Sequence, residues 1–328
     1  MSVAGPTLFS SIFECLAGGP NGTAEGPGRF SCVRTLSEAR GYPGRRHSSI
    51  SSAASAMKGR PQVVWPILRR LEPRMGPETL FRMILATTKP GVRRTFVDVG
   101  ANQGEWSKIA AKAGHRVIAF EPLPNNIRAF QRHVVSAYPS VRLVTQGVGS
   151  FARSVRMRGN TKGSRSGVAS GTTVDVGATI TSSCDGSRTR CVDVAITTLD
   201  TEVREPVFVM KMDIQGYETH ALMGAQTLLL DRGVDILILE FDPRLQDLQG
   251  GSCLRILQML HSAGYVLFEN ARLGFDTKFT KLDRMYKRNW GAPLGFQAFV
   301  AGLRKEAAYT DLVAVHADLV QPPGRYFA

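Results

Sequence analysis

Four carboxylates stand at or just past the ends of apolar, β-branched runs: Asp98 in TFVDVG, Glu121 after VIAF, Asp213 after VFVMKM and Glu240 in VDILILEF. In a parallel sheet, ligands bind in the crevice beyond the carboxyl ends of the strands, so acids placed there are poised for chemistry. They can accept hydrogen bonds from hydroxyls, hold a cationic group, or take a proton from a reacting hydroxyl. The first of them opens the turn Asp98, Gly100, Asn102, Gly104, a D-x-G-x-N-x-G pattern, and helix-forming residues follow from Glu105 to Ala110. That pattern differs from the dinucleotide fingerprint G-x-G-x-x-G. Asn102 holds the middle place, and asparagine tolerates the left-handed backbone that a tight turn requires.

The charge at this turn bears on what it binds. An ionised Asp98 repels a pyrophosphate and attracts a ligand carrying an ammonium and a sulfonium, which favours S-adenosylmethionine over a nicotinamide dinucleotide. Glu121 follows Gly100 by 21 residues and is placed to accept hydrogen bonds from the two hydroxyls of an adenosine ribose. Asp213 is the first candidate for proton acceptor or sulfonium-side carboxylate, and helix capping is its structural alternative. Glu240 is the second candidate base, or a ligand to a divalent cation together with Asp213 and Asp242. His220, His115 and His133 are read as packing or surface residues, Glu218 as an acid suited to the first turn of its helix, and Trp106 as a packing residue close to the turn.

The elements that must hold these residues follow from periodicity. Strands are expected at 95–100, 116–121, 141–145, 207–214, 234–241 and 265–269, and helices at 105–113, 125–137, 219–230 and 252–263. This α/β alternation specifies a mostly parallel sheet. The run 296–300 reads as a closing strand. Residues 150–190, rich in Ser, Gly, Thr and Arg, break the rhythm as an insertion of hairpins or a flap. Residues 61–94 form a helical lead-in containing two apolar stretches, Val63 to Leu71 and Glu78 to Thr87. Residues 1–60 hold ten serines, seven basic and three acidic side chains, a composition that fits either disorder or an organellar transit segment. Localisation is expected to be organellar or cytoplasmic. The domain is set at 95–300, with a tail at 301–328.

With these residues in view, FVDVGANQG, VIAFEPLPNN, the TLD at Thr198–Asp200 and VMKMDIQGYETHALMGAQTLL together resemble the FkbM-type methyltransferase family, over roughly residues 95–242. The resemblance implies a Rossmann-like class I methyltransferase fold with helices on both faces of the sheet. It also implies S-adenosylmethionine-dependent methylation, usually of a hydroxyl on a sugar or other small molecule, with Asp98, Gly100, Asn102, Gly104 and Glu121 as cofactor contacts. Gln215 stands where many members carry Glu, so the family's reaction does not depend on an acid there.

Bulk composition narrows the alternatives. No apolar run approaches the roughly 18 residues needed to cross a bilayer. The net charge of +14 divides into +9 for residues 1–94, with 14 basic and 5 acidic side chains, and +5 for the remainder. Together with Arg142, Arg153, Arg156, Arg158, Lys162 and Arg165 it raises a nucleic-acid methyltransferase as a rival. Against that rival, Asp213-Ile214-Gln215-Gly216 replaces the Pro-Pro-aromatic motif of amino-base methylating enzymes. A non-catalytic binding protein of the same fold is the second rival, countered by the intact acids and glycines. Five cysteines, with no zinc-like spacing, read as reduced thiols, with a Cys184–Cys191 pair across a hairpin as the alternative in an oxidising compartment.

Overall fold

The computed structural model describes residues 76–160, 176–181, 189–270 and 293–320. The stretch Val63 to Leu71 therefore lies outside the described residues, as do Lys162 and Arg165. Helix α1 (Pro77–Leu85) begins with proline at its first turn, where the missing N–H costs nothing. Its Phe81 ring lies 4.6 Å from Phe96 and 4.7 Å from Trp106, centroid to centroid. Trp106 is thus a packing residue of the core.

The chain then runs β1 (Thr95–Val99), α2 (Glu105–Lys112), β2 (Arg116–Phe120), α3 (Pro124–Phe130, continued by a π-turn at Gln131–Val135) and β3 (Arg142–Val144). A smaller group follows: β4 (Gly147–Val148), β5 (Arg153–Asn160), β6 (Val176–Ile180), β7 (Thr189–Thr197) and the short α4 (Leu199–Glu202). The rhythm resumes with β8 (Val207–Met212), α5 (Glu218–Met223), β9 (Val234–Phe241), α6 (Pro243–Leu248), α7 (Cys253–Ser262) and β10 (Tyr265–Asn270). Helix α8 (Pro293–Lys305), β11 (Thr310–His316) and α9 (Ala317–Val320) complete the described chain.

Seven strands form one sheet in the order β10-β11-β9-β8-β1-β2-β3, and β4-β7-β5-β6 form a second. In the large sheet β11 is antiparallel to both neighbours and the other pairings are parallel. One face packs Phe96, Val117, Ala119 and Ile236 against α1, α2 and α3. The alternate residues Val97, Val99, Met210, Met212, Leu237 and Leu239 are buried as well. Because side chains alternate across a strand, both faces of the sheet are therefore covered.

Three expectations are corrected. The run 296–300 lies inside α8, because Phe296, Phe299, Val300 and Leu303 are buried at helical spacing. The closing strand is instead β11, so residues 310–316 belong to the sheet and not to a tail. The helix expected over 219–230 is interrupted: α5 stops at Met223, and helical structure resumes as a π-helical segment over Leu228–Arg232. Cys191 is disulfide-bonded, which corrects the expectation of reduced thiols at that position. Cys253 is a buried free thiol, its pKa pushed up by burial.

Candidate active site

Strand order reverses between β1 and β8, which places the switch point of the sheet at the exits of these two strands. The glycine turn occupies it. Asn102 has φ of 52° and Gly100 of 81°. A Cβ on Gly100 would stand 2.0 Å from the backbone oxygen of Asp213, so only glycine lets the two strand exits lie this close. Gly104 serves packing, since a Cβ there would meet Phe130 and Val134 within 2.7 Å.

Glu121, at the exit of β2, ties the turn to its own strand. One oxygen accepts the Asn102 N–H at 2.9 Å; the other accepts the Leu123 N–H at 2.9 Å and the Asn126 side-chain amide at 3.3 Å. Burial raises its carboxyl to about 7, against the pull of those donors. Within the same turn, the side-chain oxygen of Asn102 is buried with no hydrogen-bond partner.

Asp98 lies differently from the sequence expectation. It is 1% exposed, and one oxygen accepts both the Ser107 N–H at 3.1 Å and the Ser107 hydroxyl at 2.7 Å. The other lies 3.7 Å from Lys211 Nζ. A carboxylate that satisfies an N–H in the first turn of α2 also braces the turn from inside. Burial raises its carboxyl, with Lys211 and Ser107 pulling the other way.

Lys211 joins the two halves of the site. Its ammonium donates to the Gly100 carbonyl at 2.8 Å and lies 3.7 Å from Asp213. Burial works against its charge, but Asp213, Asp98, Glu121 and Glu240 outweigh that and hold its pKa above the usual lysine range.

Beyond Lys211, Gln215 adopts a left-handed backbone at φ of 56°. Its side-chain amide donates to Asp213 at 2.9 Å and to Glu240 at 3.0 Å, bringing together the two residues named as candidate bases. Burial and the neighbouring carboxylates, Asp213 first, push Glu240 up to about 9. A third acid completes the group. Asp311, in register with Glu240 across β9 and β11, has one buried oxygen with no hydrogen-bond partner and is raised by burial to about 7. The side chain of Asp213 is 44% exposed.

The neighbouring candidates are structural. Glu218 is buried beneath the loop, where it accepts the Ile214 N–H at 2.9 Å and the Gln246 amide; burial raises it to about 7. His220 stacks on Tyr217 at 4.3 Å and meets the Gln249 carbonyl at 3.0 Å. Asp242 caps α6 and pairs with Arg244 at 2.9 Å, so it leaves the cation set considered with Asp213 and Glu240. Among the described residues no three His, Cys, Asp or Glu side chains converge into a metal-holding group.

Sequence reasoning missed Asp311 and the bridging role of Gln215. The run LVAV within TDLVAVH has the continuous, β-branched apolar character of a buried strand and was a signal for Asp311; nothing local marks Gln215 as a bridge.

A small cleft of about 40 Å³ opens at this edge, lined by Gly100, Phe120, Pro122 and Ile214 at the large sheet's exits and by Gly147 and Val148 of β4. Met157, Ile180 and Ile196 of the second sheet and Tyr217 close it.

Comparison with known proteins agrees with this geometry. No curated protein matches the chain in sequence. A methyltransferase FkbM from Methylobacillus flagellatus shares 17% identity, with 54% of this chain and 40% of that one covered and a TM-score of 0.35. The chain thus spans well under half of that relative's length. A precorrin-6y C5,15-methyltransferase from Geobacter metallireducens shares 10% identity over 75% of this chain and 92% of that one, TM-score 0.35. An rRNA methylase from Streptococcus thermophilus shares 12% over 74% and 98%, TM-score 0.37. The profile of the Methyltransferase FkbM domain matches residues 98–267, from the buried acid of the glycine turn through β10, which is more than half of the chain. On that match, and with the parallel sheet and its switch-point turn in place, the chain belongs to the FkbM family of S-adenosylmethionine-dependent methyltransferases.

Proposed function

We propose that this chain methylates a hydroxyl of a sugar or other small molecule, with Asp213 receiving the hydroxyl proton. The observation that carries the reading is the contrast in access among the clustered acids: Asp213, whose backbone abuts Gly100 of the turn, is 44% exposed, whereas Asp98 and Glu218 are buried. Glu240, held in its acid form up to about 9, is poorly suited as a base near neutrality. It acts instead through Gln215, whose amide orients Asp213.

The turn fits the cofactor. The unpartnered Asn102 oxygen is an acceptor for an ammonium, and Glu121 has lone pairs left for ribose hydroxyls. Gly100 permits close approach, and the apolar Phe120, Pro122 and Val148 suit an adenine ring. S-adenosylmethionine supplies a methyl group on a good leaving group, so the protein's part is to position the acceptor oxygen, exclude water and accept a proton. Lys211 lies 3.7 Å from Asp213 and fixes the Gly100 carbonyl, coupling the acceptor side of the site to the cofactor turn.

The reading is tested by incubating the protein with methyl-labelled cofactor and a metabolite extract, identifying the labelled product, and repeating the reaction with Asp213→Asn. The variant keeps the shape and loses proton acceptance. Turnover is expected to fall by roughly 10² to 10⁴ while calorimetric affinity for S-adenosylmethionine stays within about two-fold. Normal turnover would remove Asp213 from the reaction; a labelled amine or carbon product would remove the hydroxyl.

A further inference from the structure

Among the described residues, one cation beside the cleft has a fixed direction and no carboxylate partner. Arg153 opens β5, paired in register with Ile196, which lines the cleft. Its guanidinium donates to the Tyr217 hydroxyl at 2.5 Å and lies 4.9 Å from the centroid of the Phe151 ring. Tyr217 is itself held by the stack on His220, and His220 by the Gln249 carbonyl. The fork of Arg153 is therefore braced by an aromatic face and a hydroxyl whose own position is set.

Among the described residues no carboxylate pairs with it. Other arginines of the molecule do have such partners: Arg156 on the same strand bonds Asp193 at 2.7 Å, and Arg304 bonds Asp247. The described residues closing the cleft beside it, Met157, Ile180 and Ile196, are apolar. Phe151 is 56% exposed. A large ring left open to solvent beside a preset guanidinium offers a stacking surface next to a bidentate anion binder.

Resting on the methyl-transfer reading above, we propose that the acceptor carries a carboxylate or phosphate group, which Arg153 binds at the lip of the cleft while the acceptor's ring or chain lies on Phe151. Arginine matches both anions through two parallel N–H donors. Asp213, on the strand-exit side, then meets the hydroxyl of a molecule anchored by its anionic end. Arg153 is a specificity residue, and it takes no part in proton transfer.

Calorimetric titration of the full chain, loaded with S-adenosylhomocysteine, against glucuronate, glucose 6-phosphate and glucose tests the assignment. At least one anionic sugar should bind about ten-fold or more tightly than glucose; carboxylate and phosphate are told apart by which one does. Arg153→Gln should erase the preference and Arg153→Lys should keep part of it, both with unchanged affinity for S-adenosylhomocysteine and unchanged Tm. Tyr217→Phe, which removes the brace and keeps the ring, should give an intermediate preference. Equal binding of the three sugars, no binding of either anion, or a preference that survives in Arg153→Gln overturns the proposal. Loss of S-adenosylhomocysteine affinity in Arg153→Gln would assign the guanidinium to the cofactor's own carboxylate and also overturn it. Failure of the unaltered protein to bind S-adenosylhomocysteine would instead strike the cofactor reading on which the proposal rests.

Discussion

On the β1–β2 side of the site, every oxygen of Asp98 and Glu121 but one accepts a hydrogen bond, from Ser107, Asn102, Leu123 or Asn126. On the β8–β9–β11 side, Asp213, Glu240 and Asp311 share one ammonium, and a single amide bridges the first two. The first side is organised by the backbone of its own turn. The second is a concentration of negative charge that a lysine and retained protons keep tolerable. The first side is satisfied by backbone and amide donors, whereas the second depends on one lysine and one glutamine amide for its balance.

Lys211 is where this contrast breaks most sharply, since it serves both sides. Lys211→Met strands the buried Asp98 and removes the donor to Gly100, and the expected loss by denaturant unfolding at pH 7 is about 3–5 kcal/mol. Adding Asp98→Asn should recover most of it, because the stranded charge goes with the second change. A loss under about 1 kcal/mol would mean that the lysine does not hold the two sides together.

Glu121→Ala probes the organised side alone. It strips the acceptor from the Asn102 and Leu123 N–H groups along with the proposed ribose contact, and S-adenosylmethionine affinity by calorimetry should weaken by about 1.5–3 kcal/mol. Unchanged affinity in a folded variant would show that the turn is organised without it.

The effect at Glu240 is one of slope with pH. The folded chain keeps this proton up to about 9, whereas the ordinary glutamate value is 4.5. Between those limits the folded state binds more protons than the unfolded one, so this residue's contribution lowers stability as pH rises. Glu240→Gln removes the slope. Its Tm advantage over the unaltered protein should therefore grow from pH 5 to pH 9, and a constant difference would show that the acid is not crowded.

The turn, the order of the early strands and the placement of Glu121 and Asp213 at strand exits were legible in sequence, because strand periodicity and glycine chemistry are local. The direction of Asp98 was not, since its partners Ser107 and Lys211 are fixed by how α2 and β8 dock. Gln215 bridges two acids only because β8 and β9 exit side by side, a register fact that no short window contains. The misread of 296–300 has a plainer cause: a five-residue apolar window does not separate a strand from a buried helix, and the period emerges only when Leu303 is included.

The place of β11 has a consequence for the order in which the protein comes into being. β11 lies between β9 and β10, pairs with both, and is the last strand of the described chain to be synthesised. While the ribosome is still making residues 271–309, β9 has an open edge and β10 has no neighbour to join. The acidic side of the site is then short of Asp311, and Glu240 lacks its cross-strand partner. A nascent chain of this protein therefore forms the glycine turn before it can place Asp311, so a product stalled within residues 271–309 has the turn, Asp213 and Glu240 and lacks the strand that joins β9 to β10.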